Sequence, residues 1–212
     1  DCDFLVCSAY KFFGPHQGIL WGKGQLLKSL SPYKVRPATS ELPGCFETGT
    51  QSHEGMAGTT AAVNYFAWIG HEYAETYQIE NKYKNERTKF IHAALDYLFE
   101  YEKLLTIDLI EGLQNIKNVQ VQGITEKNAL DRRLPTVSFS VIGLSPSLIA
   151  EELAKENIFV WSGHSYALEV VKSLNLLDKG GVLRTGPVHY NTINEVHEFL
   201  EILDKLISKE LG

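Results

Sequence analysis

The stretch SAYKFFGPHQGILWGK, residues 8–23, decides how the rest of the chain is interpreted. It overlaps a short apolar run, DFLVCSAY (3–10), which is typical of a buried strand in a largely parallel sheet. Lys11 follows that run among aromatic residues, and Gly14-Pro15 then turns the chain. Aromatic neighbours that desolvate a lysine lower its pKa and favour the nucleophilic neutral amine. Two interpretations stay open: a surface lysine after a strand, or an amine that reacts with an aldehyde.

Two hydroxyl groups accompany this lysine, because Ser8 and Tyr10 both lie within three residues of Lys11. Hydroxyl groups donate hydrogen bonds to phosphate oxygens, and a neutral lysine forms Schiff bases with aldehydes. The biological aldehyde that also carries a phosphate is pyridoxal 5'-phosphate. The segment is therefore compatible with pyridoxal phosphate chemistry.

Outward from this segment, hydrophobic patterning predicts alternating strands and helices. GILWGKG (18–24) predicts a second strand, residues 25–55 a long loop, and residues 56–77 a helix. Residues 84–116 predict a long helix, bent near Thr106. The remaining elements are strands at 119–123 and 134–143, a helix at 145–157, strands at 158–163 and 181–190, and a helix at 191–208 capped by Asn191 or Thr192. This last block predicts a small α+β domain with helices on one side of a mixed sheet.

Composition limits the classes of function. The 212 residues carry a formal net charge of −6, which argues against a nucleic-acid-binding surface. No window approaches the roughly 18 apolar residues of a membrane span, and no signal-peptide pattern opens the sequence. Three cysteines without a C-x-x-C pair indicate reduced thiols and a cytoplasmic protein. The seven histidines show no metal-ligand spacing, so no metal site is predicted.

Three motifs, in order along the chain, resemble the class V aminotransferases, in particular their cysteine desulfurase and selenocysteine lyase-like branch. Residues 8–23 resemble the cofactor-lysine segment, and FETGTQSHEGMAG (46–58) resembles the Phe-Glu-x-Gly-Thr loop of that family. VLRTGPVHYNTINEV (182–196) resembles its C-terminal segment, Arg-x-Ser-x-x-x-Tyr-Asn-Thr-x-x-Glu.

The resemblance implies an α/β protein with the fold type I of pyridoxal phosphate enzymes. Residues 1–80 would form the C-terminal part of the cofactor-binding large domain. Residues 81–212 would form the small C-terminal α+β domain, with the helix at about 84–116 as the link. Because the sequence starts at Asp1 and enters a strand at once, we expect a fragment that lacks the N-terminal part.

The resemblance also implies roles for cofactor-site residues. Lys11 would form the Schiff base with pyridoxal 5'-phosphate and move the proton at the substrate α-carbon. Ser8 and Tyr10 would contact the cofactor phosphate. Thr50 would reach the phosphate of the other subunit, which implies a homodimer.

The resemblance implies an amino-acid substrate whose carboxylate pairs bidentately with Arg184, a geometry that suits guanidinium. His164 would lie on the substrate loop. The desulfurase branch carries a nucleophilic cysteine on this loop, in a Gly-His-His-Cys-Ala context, whereas Tyr166 stands at that position here. A phenol forms no persulfide, which argues against desulfuration and leaves transamination, racemisation and β-elimination open. His16 and His53 are weaker candidates for contacting the substrate.

Two alternatives of other classes remain. The first is a catalytically altered or inactive relative that keeps the fold and has a binding or structural role. The second is a hydrolase built on Ser165, although residues 163–167 have alanine where a Gly-x-Ser-x-Gly elbow has its second glycine.

Overall fold

The computed structural model describes residues 2–73, 83 and 85–212. Its contacts divide the chain into two compact units, Asp1–Leu95 and Asp96–Gly212. The domain boundary predicted between residues 80 and 81 lies outside the described residues and stays a prediction.

In the first unit, strands β1 (Phe4–Ser8) and β2 (Gly18–Gly22) pair antiparallel. The apolar run predicted a buried strand of a largely parallel sheet, whereas in the described chain β1 is largely exposed, with Val6 76% exposed, and its one partner strand is antiparallel. An apolar run alone does not reveal strand direction. The nine-residue link is short for the crossover that a parallel pair requires, which favours the antiparallel arrangement.

The predicted loop at 25–55 is not entirely irregular, because its start lies in a short helix, α1 (Gly24–Ser29). Helix α2 (His53–Tyr73) begins three residues before the predicted start. The hydroxyl of Ser52 accepts a hydrogen bond from the backbone N–H of Gly55 at 3.2 Å, which helps to satisfy the first turn of α2. The predicted end of this helix, residues 74–77, lies outside the described residues.

Helix α3 (Glu86–Asn115) closely matches the predicted long helix and continues through Thr106 without interruption. The bend expected there stays a prediction. At the start of α3, the helix packs closely on α2, because a Cβ added at Gly70 would lie 1.8 Å from the carbonyl oxygen of Phe90. Only glycine fits at that position without a shift of the backbone.

The second unit contains four strands, β3 (Val119–Gln122), β4 (Val137–Val141), β5 (Trp161–Gly163) and β6 (Val182–Thr185). They form one sheet in the order β3-β4-β6-β5. All three strand pairs in it are antiparallel, so the prediction of a mixed sheet is wrong. The period-two pattern that identified the strands carries no information about their direction.

The main core of this unit lies between one face of the sheet and helices α3, α4 (Pro146–Lys155) and α6 (Ile193–Leu211). The rings of Phe139 and Phe199 meet edge to face at 6.4 Å in this core. Thr192 is the residue that caps α6, and it forms a reciprocal capping box with Glu195.

A short helix that the sequence did not predict, α5 (Leu168–Ser173), contributes to a second, smaller cluster in which Val171 and Leu176 pack with Val182. Val182 precedes Leu183, which belongs to the main core. Successive strand residues point to opposite faces, so the small cluster lies on the other face of the sheet. The expectation of helices on one side only is therefore wrong.

Candidate functional site

Lys11 lies on a tightly hydrogen-bonded turn between β1 and β2. Ser8 ends β1, and residues Ala9–Phe12 form one 3-10 turn that carries Tyr10 and Lys11. The buried Ala9 donates its N–H to Gln17 O at 2.8 Å and accepts from Gly14 N–H at 2.9 Å. These two hydrogen bonds close the loop on itself, so the backbone that carries Lys11 is fixed at both ends.

The side chain of Lys11 is exposed, so the expected desolvation by aromatic neighbours is wrong for the described chain. Its Nζ lies 5.4 Å from the ring centroid of Tyr10, which is itself 50% exposed and shields only one side. Phe13 has a left-handed φ of 64° and packs on Phe66 of α2 at 5.9 Å between centroids. That backbone conformation directs one of the flanking aromatic rings to α2.

The groups around Lys11 suit a ligand with an aldehyde and a phosphate. Ser8 is half-buried, and neither its hydroxyl nor that of Tyr10 makes a hydrogen bond with the residues that the structure describes. The Lys11 amine likewise forms no ion pair in the described part of the chain. One amine and two hydroxyl groups, at the end of β1 and on the turn that follows it, therefore fit pyridoxal 5'-phosphate.

Thr50 is exposed and lies three residues before the start of α2. The N-terminus of a helix favours anions, because its first N–H groups have no partner within the helix. The beginning of α2 also packs on the loop that follows Lys11, since a Cβ added at Gly55 would lie 2.4 Å from Gln17 Oε1. The first unit therefore holds all four predicted cofactor residues, with Ser8, Tyr10 and Lys11 on one segment.

Arg184 and His164 belong to the second unit, on the neighbouring strands β6 and β5. Arg184 is exposed in β6, opposite Ser138 of β4 and Trp161 of β5. His164 is exposed and directly follows β5. Both predicted substrate residues thus lie in the second unit, a different unit from Lys11. They lie at opposite ends of the β5–β6 pair, because Arg184 is opposite the first residue of β5, whereas His164 follows Gly163, which is opposite Val182.

The loop after β5 has an unusual backbone. Ser165 and Tyr166 have left-handed φ angles of 48° and 60°, which are strained for residues other than glycine. The side chain of Tyr166 is completely exposed. The Ser165 hydroxyl is buried and has no hydrogen-bond partner among the described residues, so no histidine there activates it as a nucleophile. The structure gives the hydrolase alternative no support.

Comparison with known proteins identifies the family. The family model described as aminotransferase class-V matches residues 1–96 and 85–199, and together these segments cover most of the chain. The chain belongs to this family. Class V aminotransferases use pyridoxal 5'-phosphate as their cofactor.

Similar proteins include a probable cysteine desulfurase from Synechocystis sp., which is 28% identical over 98% of this chain and 45% of its own length. The aminotransferase-like protein FGM3 from Gibberella zeae is 29% identical over 97% of this chain and 46% of its own length. The chain therefore spans about half the length of the curated relatives it matches.

The fold is shared with solved cysteine desulfurases. The apo structure of the enzyme from Thermococcus onnurineus NA1 superposes with a TM-score of 0.75 at 25% identity, over 98% of this chain and 48% of that one. The Escherichia coli enzyme CsdA gives a TM-score of 0.70 at 20% identity, over 97% and 46%. The chain thus has about half of the fold type I of pyridoxal phosphate enzymes, as predicted. Among the residues described here, no helix combines the length and apolar character needed to cross a bilayer.

This class V aminotransferase chain also contains a polar anchor that the sequence analysis missed. The hydroxyl of Tyr101 donates a hydrogen bond to the carbonyl oxygen of Asn191 at 2.7 Å. The carboxylate of Glu102 accepts a hydrogen bond from the backbone N–H of His189 at 3.1 Å. The two bonds attach the segment after Arg184 to α3. They join residues about ninety positions apart, and spacing along a sequence reveals no such contact.

Burial affects both ionisable groups of this anchor. It raises the pKa of the Glu102 carboxyl above its ordinary value, and the hydrogen bond from the backbone N–H of His189 offsets part of that rise. Burial lowers the pKa of the His189 imidazole. Both groups are therefore biased towards their neutral forms.

A cavity of about 480 Å³ lies near the end of β6, lined by Thr185, Gly186 and Pro187. Arg184 is not part of its lining, because alternate side chains of a strand point to opposite faces. The core residues Leu109 and Phe199 also line the cavity, which places it on the helix-covered face. It does not serve as the pocket around the Arg184 guanidinium.

Proposed function

We propose that this chain provides the cofactor lysine and the substrate carboxylate clamp of a pyridoxal 5'-phosphate-dependent enzyme that acts on an amino acid. The observation that carries the proposal is the turn at residues 9–12, which presents a free lysine amine beside two unengaged hydroxyl groups. When bound, the cofactor supplies the electron sink that such chemistry requires. Lys11 binds the cofactor aldehyde and holds the proton that is exchanged at the substrate α-carbon.

Ser8 and Tyr10 donate hydrogen bonds to the cofactor phosphate. Thr50 donates to the phosphate in the other subunit of a homodimer, and its position just before α2 supports this role, since helix N-termini favour anions. Arg184 binds the substrate carboxylate with two parallel hydrogen bonds, and its exposure on β6 leaves the guanidinium accessible. His164, which directly follows the neighbouring strand β5, contacts the same substrate.

The reaction we propose is an amino-acid transformation without a persulfide. Tyr166 occupies the cysteine position of the desulfurase motif, and its phenol cannot accept sulfur. Transamination, racemisation and β-elimination all begin with removal of the α-proton, which the Lys11 amine can perform. The free thiols of Cys2, Cys7 and Cys45 support a reducing compartment such as the cytoplasm.

Titration of the complete protein with pyridoxal 5'-phosphate tests this function. Wild-type protein should develop a visible absorbance band that borohydride abolishes, whereas Lys11→Ala should not. Lys23→Ala is the matched control, because Lys23 lies on the same hairpin and pairs at the surface with Asp3 at 3.0 Å. The Lys23 variant should keep the band. Absence of the band from wild-type protein, or its persistence in the Lys11 variant, would refute the proposal.

A further inference from the structure

His16 packs against the predicted phosphate-binding tyrosine. Its imidazole stacks on the ring of Tyr10, with 5.1 Å between centroids and 29° between planes. The Lys11 amine lies 5.4 Å from the centroid of the same ring. Tyr10 is therefore held between its own backbone turn and a histidine, and it is the shared neighbour of His16 and Lys11.

The backbone brings His16 to this position. Phe13 adopts a left-handed conformation, and the chain then returns so that Gln17 O meets Ala9 N–H at 2.8 Å. A Cβ added at Gly14 would lie 2.9 Å from the Cβ of Ala9, so the returning chain passes close to the turn. Because residues 9 and 17 are joined, residues 10 and 16 become neighbours.

Helix α2 packs against the returning chain on both sides of His16 in sequence. A Cβ added at Gly58 would lie 3.1 Å from Pro15, which precedes His16. Gln17, which follows His16, contacts the first turn of α2 near Gly55. His16 is thus flanked by two residues that pack on a long helix, and this restrains the backbone at position 16.

We infer that His16 is a positioning residue that orients the Tyr10 hydroxyl for the cofactor phosphate. The inference rests on the proposed function of Lys11 and goes beyond it by assigning a role to the stacked ring. A half-exposed tyrosine has several accessible rotamers, and restricting it before the ligand arrives lowers the entropic cost of binding. Stacking requires an aromatic ring at position 16 but no ionisable group.

The first test compares His16→Ala with His16→Phe in the complete protein, using the dissociation constant for pyridoxal 5'-phosphate. Loss of one aromatic pair should weaken binding by about three- to tenfold in the alanine variant. The phenylalanine variant should bind within about twofold of wild type, since it keeps the stack. His92→Ala is the matched control, because His92 stacks on Tyr83 at 4.2 Å outside the Lys11 turn. It should leave the dissociation constant unchanged.

Two further measurements separate positioning from general destabilisation. In a Tyr10→Phe background, His16→Ala should have no additional effect, because the hydroxyl that it orients is gone. Pyridoxal, which lacks the phosphate, should bind equally to wild type and to His16→Ala. Equal dissociation constants for pyridoxal 5'-phosphate in wild type, His16→Ala and His16→Phe would overturn the inference and leave the Lys11 proposal intact. A wild-type protein without the lysine-dependent band would overturn both.

Discussion

At the scale of single residues, Tyr166 separates this chain most clearly from the desulfurases it resembles. Its side chain is completely exposed on a loop with left-handed backbone at two successive residues, so it is accessible. Because a phenol accepts no sulfur atom, incubation of the cofactor-loaded protein with cysteine should release no sulfide. Detection of sulfide by methylene blue, with a chromatographic assay for alanine, checks this expectation. Sulfide in proportion to enzyme would contradict it.

Only part of the arrangement around Lys11 could be predicted from the sequence. Ser8, Tyr10 and Lys11 are neighbours in sequence, so their proximity could be predicted. The exposure of Lys11 could not be predicted, because it depends on where the aromatic side chains point, and Phe13 packs on α2. The stacking of His16 on Tyr10 requires a chain reversal that Gly14-Pro15 indicated only as a turn.

At the scale of secondary-structure elements, burial makes the anchor between α3 and the segment after β6 sensitive to pH. The pKa of His189 is lowered from its ordinary value of 6.5, so the folded state favours neutral imidazole. Its contribution to stability is complete above pH 6.5 and is lost as the pH falls towards the lower pKa of the folded state. Glu102 changes the free energy of unfolding in the opposite direction as the pH falls. Burial raises its pKa, so protonation at low pH removes the cost of its buried charge.

We therefore expect that in His189→Asn the free energy of unfolding changes less with pH just below pH 6.5 than it does in wild type. Denaturant unfolding at a series of pH values measures this. Parallel profiles would mean that His189 titrates in the folded state as it does in the unfolded chain.

The sheet of the second unit depends on the core around β4. Phe139 is fully buried and meets Phe199 edge to face. Its replacement by alanine should lower the free energy of unfolding by about 3–5 kcal/mol, through lost burial and the cavity that remains. Denaturant melts of the two proteins provide the comparison. A loss below about 1 kcal/mol would show that Phe139 makes little contribution to the core.

Most elements could be predicted from sequence, whereas strand direction and small helices could not. Alternation located β4, and the Ser-Pro start located α4, because these signals are local. Pairing direction depends on contacts between strands that are distant in sequence. Helix α5 has only six residues, which is too short for a helical period to stand out.

At the scale of the whole molecule, the proposed homodimer has a consequence for mixed subunits. If Thr50 serves the partner's site, a dimer of one Lys11→Ala subunit and one Thr50→Ala subunit contains one intact site and one doubly defective site. Random mixing should then restore cofactor binding to about one quarter of all sites, since half the dimers are mixed. Absorbance titration of the two separate variants and of the refolded mixture tests this.

The Thr50 prediction is contradicted if the mixture binds no more cofactor than the average of the two separate variants. That outcome would mean that Thr50 acts on the site of its own chain, or not at all. A mixture of wild type with Lys11→Ala serves as the control for refolding. In that mixture the fraction of sites that bind cofactor should equal the fraction of wild-type subunits.

Covalent attachment of the cofactor to Lys11 underlies the proposed chemistry, and peptide mapping detects it. The complete protein is loaded with pyridoxal 5'-phosphate, reduced with borohydride, digested and analysed by mass spectrometry. We expect the cofactor mass on the peptide that contains Lys11. Modification of a different lysine in place of Lys11, or of none, would contradict it.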